Sequence, residues 1–427
     1  MRVAVVGLGL AGLRAAMLLE QAGIEVLLFE ARAQAGGRLR TVTDDGEPLY
    51  EAGGEWIDAE HHRMLSLLAA GGWTARPAPA SAGRVSWRGQ VWRDDALPDE
   101  ACADEERIES LARELYRRLP TPIWKDASAS ELDQLDLASF MRANTQTELG
   151  RFWVNSKYRG DEGDDLDQIG LLGWLAGFQL YVNRTGGEMC AYHLPCDSQE
   201  LCAWMLSTLQ AAPSFGSALQ GVRRGQNGVT LFFNTGAVEA DRVVLTLPPR
   251  RLERLWFDAP LEARQWQAMQ ACRMSRAVKI VWQFDRPWWR EEGWSGNLLA
   301  DNSLQTVWDA SIGETPVLCA YVCGQDALGW GQQQDPVQTS LALLAELCPA
   351  ANKTFVRGWF HDWIRDPFAE GVHSHLQPGF VLNHLPFMAK PSDRIHFAGE
   401  HTASWSGFME GALESAERVV EEILCRE

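Results

Sequence analysis

The chain has 427 residues, about three times a typical domain length, so two interleaved domains with a sizeable core are expected. Its 39 Lys+Arg against 57 Asp+Glu give a formal charge of −18, which disfavours nucleic acid or an anionic membrane surface as a partner. No stretch approaches the roughly 20 uninterrupted apolar residues that span a bilayer, and nine Cys, an odd number without C-x-x-C pairs, suggest neither a disulfide framework nor a zinc site.

A strand-like run, Val3 to Val6, opens the chain and leaves no room for a leader ahead of it; a cytoplasmic protein with reduced core thiols and no metal is the expectation. Gly7-Leu8-Gly9-Leu10-Ala11-Gly12 follows, then a helix-like run from Leu13 to Ala22 and a second strand closing at Glu30. That order is the fingerprint of a dinucleotide site. Gly7 permits the tight turn, Gly9 lets the backbone approach a pyrophosphate, Gly12 lets helix and strand pack closely, and Glu30 reaches the adenosine ribose.

Residues 1–70 read as βαβ plus a Gly-rich stretch, and residues 75–200 as mostly helical with acidic loops. The runs Asp94-Asp95, Asp104-Glu105-Glu106 and Asp161-Glu162-Gly163-Asp164-Asp165 lack calcium-loop spacing and read as solvated loops. Val229 to Phe233 and Arg242 to Leu247 read as an antiparallel meander returning to the first domain. Residues 257–385 mix strands, Val278 to Phe284 and Val317 to Val322, with helices; a strand from Ile395 to Ala398 and a helix from Gly411 to Leu424 end the chain. The nineteen Trp suit packed cores or an aromatic-walled cavity.

Further motifs lie in order along nearly the whole chain: Gly36-Gly37-Arg38, Glu51 to Ile57, Leu247-Pro248-Pro249, Lys279, Phe284 to Trp289, Phe397 to Thr402, and Trp405 to Ala412. Together they resemble the flavin-containing monoamine oxidase family. The resemblance implies an α/β protein: a Rossmann-like FAD-binding domain from residues 1–70, 205–256 and 386–427, joined to a mixed-sheet α+β substrate domain from residues 71–204 and 257–385. The same two-domain plan is found in glutathione-reductase-like proteins.

Carried over position by position, the cofactor contacts fall on Gly7, Gly9, Leu10, Ala11, Gly12, Glu30, Ala31, Gly37 and Arg38, whose guanidinium can sit on the pyrophosphate. They continue with Gly53, Gly54, Glu55 and Trp56 along the isoalloxazine edge, where a Cβ would collide, Leu219 at adenine, Trp363 packed against the flavin, Gly399, and Glu400 at the ribityl chain. Phe408, Met409 and Ala412 complete the set, the last helix directing its positive end at the ring. Lys279 matches a lysine that holds a water against flavin N5, and burial there would lower its pKa. Trp363 stands nine positions before Val372, which replaces the Cys that bonds flavin in the mammalian enzymes, so FAD is expected to be non-covalent. The two aromatic-cage positions fall on His373 and Phe408, with His375 an alternative because the stretch from His373 to Gly379 is one residue short.

The implied activity is oxidation of an amine to an imine by hydride transfer to flavin N5, then hydrolysis to a carbonyl compound, with oxygen or another acceptor taking the electrons and hydrogen peroxide as the usual product. An L-amino acid oxidase of the same fold is the first alternative, but Glu55 and Asp58 stand where a carboxylate-binding Arg would help; Arg63 or Arg184 could reach by folding. Glu55 could attract a second amino group or hydrogen-bond the flavin edge or a loop. A carbon–carbon desaturase is disfavoured by Lys279 and the Trp405 to Ala412 motif, and a non-catalytic FAD module by Lys279 and Trp363. The amine's identity and a homodimer stay open.

Overall fold

The computed structural model describes residues 1–79, 81–120, 123–125, 127–182 and 190–425. The strand Arg2–Val6 is buried from Val3 onward, as a strand covered on both faces must be. It is the middle strand of a five-stranded parallel sheet in the order Pro213–Ser214, Glu25–Phe29, Arg2–Val6, Arg242–Leu245, Ile395–Phe397. Period-2 alternation splits its side chains. Val3 and Val5 pack with Leu13 and Leu19 of the helix Leu10–Gln21, Leu413 and Val419 of the helix Met409–Leu424, and Leu201 and Met205 of the helix Ser198–Ser207. Ala4 and Val6 pack on the other side with Val222, Leu231 and Phe233.

That second cover is a separate four-stranded sheet, Gly236–Ala240, Val229–Phe233, Leu219–Arg224 and Trp256–Phe257. The expected meander therefore divides. Val229–Phe233 pairs antiparallel with Gly236–Ala240, but Arg242–Leu245 leaves that sheet and joins Arg2–Val6 in parallel. Val243, Val244 and Leu245 are fully buried, so successive residues need cover on both faces, which only the central sheet provides.

A seven-stranded mixed sheet forms the other half, in the order Phe355–Asp362, Ala277–Phe284, Val317–Cys323, Thr306–Asp309, Leu298–Ala300, Arg84–Trp87, Gln90–Arg93. All its pairings are antiparallel except Leu298–Ala300 with Arg84–Trp87. The stretch expected to be mostly helical thus supplies two strands before its helices Asp99–Arg117, Leu137–Asn144, Glu148–Glu162 and Leu171–Val182. Val278, Ile280, Trp282 and Phe284 face a core holding Trp288, Trp289, Trp294 and Trp330, so many of the tryptophans are packing residues. By the same alternation Lys279 and Val281 point the opposite way, toward residues 49–52 and Trp308.

The acidic runs are largely not solvated loops. Asp104 is buried inside a helix and accepts the Gln146 and Thr147 N–H groups and the Thr147 hydroxyl. Asp161 and Glu162 form the last turn of the helix Glu148–Glu162, and Asp164 is buried against the Arg276 guanidinium. Asp104 and Asp164 are each held by donors that the sequence places far away. All nine Cys are free; six are buried, while Cys102, Cys190 and Cys425 are exposed rather than core thiols. Among the described residues no helix is long and apolar enough to cross a membrane, and no group of His, Cys, Asp or Glu could hold a metal ion.

Candidate active site

The Leu10–Gln21 helix begins inside the glycine motif, with Gly9 as an extended N-cap (φ −74°) that offers no side-chain cap. Its first-turn N–H groups are therefore left for a ligand. Gly7 has φ +96°, and a Cβ on Gly12 would stand 1.9 Å from the Gly7 carbonyl oxygen, so these two glycines serve the turn and the helix–strand contact. Gly9 and Gly54 differ: the nearest protein atoms to an added Cβ are 3.7 Å and 3.5 Å away, ordinary contact distances. Both line one cavity of about 720 Å3, and the protein itself does not require them to be glycine. Gly53 corrects the sequence reading, because an added Cβ there would lie 2.0 Å from the Arg38 carbonyl oxygen; the protein backbone excludes it, whatever lies along the ring.

Glu30 accepts the Leu8 N–H at 2.7 Å on one oxygen and the Arg32 N–H at 2.8 Å on the other. Each oxygen keeps a second lone pair for a ribose hydroxyl. Arg38 donates from Nη1 to Glu400 Oε1 at 2.7 Å and to the Val372 carbonyl at 2.9 Å. Glu400 also accepts the Ser374 hydroxyl at 2.7 Å and the Gly407 N–H at 2.8 Å, tying three loops together. Burial would push its carboxyl up, but Arg38, His401 and these donors hold it at about 2. Apart from Gly12 and the alternative cage residue His375, every residue singled out for cofactor or catalysis lines this cavity. The uncapped helix end, the Cβ-free walls and the acid at the strand end fit a flavin adenine dinucleotide.

Lys279 reaches across from the mixed sheet, and all three of its ammonium protons have protein acceptors: Glu51 O and Gly53 O at 2.9 Å each and Glu55 Oε1 at 2.7 Å. The expectation of a depressed pKa fails. Burial is the largest single influence and acts in that direction, but Glu55, with Cys319 and Glu51 adding to it, holds the ammonium above the usual lysine range. Glu55 also accepts Trp308 Nε1–H at 3.0 Å, so its role is to neutralise Lys279 and anchor an aromatic wall. Trp363 donates its indole N–H to the Ala52 carbonyl at 2.8 Å and fixes the same stretch of chain.

His373 lines the cavity between Gly163 and Gly407, and burial lowers its pKa. His375 is turned away, 3.8 Å from Asp164, in a short ladder with Arg273–Met274. Phe408 is the N-cap of the last helix, edge-on to His61 and Trp405. Arg63 does not reach the cavity; Glu410 and Glu417 hold it. Arg184 lies outside the described residues.

Sequence reasoning missed Trp153, Trp308, Tyr321 and Asp161, which line the cavity beyond Lys279. Tyr321 is the cross-strand partner of both Lys279 and Thr306, a relation fixed by long-range pairing that no local motif carries. Among the described residues, the six cations on the wall are each paired with a carboxylate: Arg32 with Asp366, Arg38 with Glu400, Arg84 with Glu292, Lys157 with Glu105, Arg251 with Glu370 and Lys279 with Glu55.

A family model described as flavin containing amine oxidoreductase matches residues 10–424. The chain is 27% identical to a Mycobacterium tuberculosis protein named as a flavin-containing monoamine oxidase, AofH, over 99% of this chain and 96% of that one. It is 25% identical to an L-amino acid dehydrogenase of Synechocystis, over 98% and 94% of the two chains. Among solved structures, wild-type putrescine oxidase bound to putrescine superposes with a TM-score of 0.90 at 24% identity, covering 100% of both chains. Cyclohexylamine oxidase from Brevibacterium oxydans gives 0.88 at 22%, covering 100% of this chain and 99% of that one. These last two likenesses speak for the fold. With a match that spans almost its whole length, the chain belongs to the flavin-containing amine oxidoreductases and is an FAD-dependent amine oxidase.

Proposed function

We propose that this enzyme oxidises the C–N bond of an amine that lacks a carboxylate, giving an imine that water hydrolyses to a carbonyl compound. The observation that carries this reading is the pairing of every cation on the described cavity wall with a protein carboxylate, which leaves none for the carboxylate of an amino acid. FAD, when bound, supplies the acceptor for the hydride at N5 and passes the electrons to oxygen, yielding hydrogen peroxide, or to another acceptor. Val372, where a thioether would need Cys, supports non-covalent binding.

Residues 1–70, 205–256 and 386–427 carry FAD in this reading, and residues 71–204 and 257–385 enclose the substrate. Trp56, Trp308 and Tyr321 wall the approach to the flavin and limit water there, while the amine itself reacts as the free base. Phe408 and His373 flank the reacting carbon, Trp363 supports the flavin, and Lys279 acts as a fixed cation beside it. Anaerobic bleaching of the flavin absorbance against alkylamines and L-amino acids tests the reading. Bleaching by amines with recovery in air is expected; bleaching by amino acids alone overturns it.

A further inference from the structure

We propose that Asp161 receives a second positive charge on the substrate, so that the enzyme prefers a diamine or polyamine to a monoamine of equal length. The inference rests on the reading of the cavity as an amine site and narrows it to a substrate class. Of the charged side chains on the cavity wall, Asp161 is the one without a hydrogen-bond or ion-pair partner among the described residues. Glu30, Glu55 and Glu400 are engaged as described, and Asp94 accepts the Gly83 N–H at 2.9 Å. Asp58 accepts the Cys190 N–H at 2.7 Å and stands 3.4 Å from His61 Nε2. On its own helix, Lys157, one turn back, is held by Glu105 at 2.5 Å and Glu109 at 3.6 Å, and Arg159 acts on Asp165 and Cys323. A carboxylate desolvated without a counter-charge is costly, and a ligand cation would remove that cost.

Two features of the surroundings favour a cation over any other ligand. Asp161 lies in the last turn of the helix Glu148–Glu162, which Gly163 ends with φ +68°, so the negative end of the helix dipole adds to its field. Trp153, Trp308 and Tyr321 line the same part of the cavity, and aromatic faces attract ammonium groups. Glu55, the acid a sequence reading would choose for this task, is already neutralised by Lys279. An α,ω-diammonium chain would place one nitrogen near Lys279 and Phe408, where it reacts as the free amine, and the other on Asp161.

Burial pushes the Asp161 carboxyl up to about 7, with Lys157 opposing and Asp58 adding to the rise. Tyr158 and Glu162 on its own helix, the latter raised to about 8, and Cys190 and Tyr321 from other elements complete its titratable surroundings. Below that pH the carboxyl is neutral and binds a cation weakly. The KM for a diamine relative to a monoamine therefore rises as pH falls through about 7, a ratio in which the protonation of the reacting nitrogen cancels.

The test compares 1,4-diaminobutane through 1,8-diaminooctane with the n-alkylamines of equal length, in the wild type, Asp161→Asn and Asp161→Glu holoenzymes. The kcat/KM ratio of the preferred diamine to its monoamine is expected to fall about 10- to 100-fold in Asp161→Asn, mainly through KM, the size of a lost charge-assisted hydrogen bond. Asp161→Glu restores part of it. An unchanged ratio in Asp161→Asn, or a wild-type KM ratio flat across pH 7, overturns the assignment. Wild type that oxidises n-alkylamines without any diamine preference sinks this inference and leaves the amine-oxidase reading standing; no oxidation of either class overturns both.

Discussion

The ammonium of Lys279 has three N–H bonds, and the protein accepts all three, so the residue cannot also donate to a water without giving up a contact. It acts as a fixed positive charge, and Glu55 is the group that keeps it charged. Replacing Glu55 with Gln leaves burial as the dominant influence, and the Lys279 pKa falls. The rate of flavin reoxidation, followed by stopped-flow absorbance, is expected to be flat across neutral pH in the wild type and to decline with rising pH in the variant. Identical profiles would show that Glu55 does not hold the charge.

Two glycines of one motif are expected to answer differently to the same methyl group. Gly12→Ala drives a Cβ toward the Gly7 carbonyl and should cost about 1–3 kcal/mol of stability whether or not FAD is present. Gly9→Ala meets no protein atom closer than 3.7 Å, so the unfolding midpoint of the FAD-free protein should stay put while FAD affinity collapses. Equilibrium unfolding alongside flavin fluorescence separates the two. An equal drop in FAD-free stability for both would refute the assignment of Gly9 to the ligand.

Among the elements, the helix His62–Ala70 has no side-chain cap of its own. Its first N–H groups are served by the buried Glu410 carboxylate from the start of the last helix, which accepts Arg63 N–H at 3.1 Å and Met64 N–H at 2.9 Å. Glu410→Ala is expected to destabilise the protein by about 1–3 kcal/mol and to speed amide exchange at residues 62–66 selectively. Uniform protection in that variant would count against the cross-helix cap. Such partnerships explain what sequence could and could not reveal. The parallel strands, the glycine turn and the terminal helix were legible because period-2 alternation and turn chemistry are local. Pairing of Glu55 with Lys279, 224 residues apart, was not legible, nor was the inward turn of Asp161, because both depend on which strand lies beside which. For the same reason Arg242–Leu245 was assigned to the neighbouring sheet: its strand character is local, its partner is not.

At the scale of the whole molecule, buried titratable groups set the pH dependence of stability. His193, His361, His375 and His401 are each lowered to about 4 by burial, so they take up protons on unfolding and stability is lost as pH falls from about 6.5 toward 4. Glu51, Asp161 and Glu162 are raised to about 6, 7 and 8, chiefly by burial. They hold protons that the unfolded chain releases, so their contribution is present at low pH and lost as pH rises through those values. Opposing slopes place the maximum between about pH 6 and 7. Thermal unfolding midpoints of the holoenzyme from pH 5 to 9 check this, and a midpoint still climbing at pH 8 would contradict it.

The five-stranded sheet carries one more consequence, for biosynthesis. Its central strand, residues 2–6, is synthesised well before its neighbours on one side, residues 242–245 and, beyond them, residues 395–397. Ordering of so many sequence-distant contacts is slow, and an apolar strand must wait for partners that do not yet exist. FAD meets the same delay, since Gly9 and Met409 line one cavity from opposite ends of the chain. The complete cavity therefore forms only after residues 399–412 have been made, and until then the early apolar strand lacks its partners.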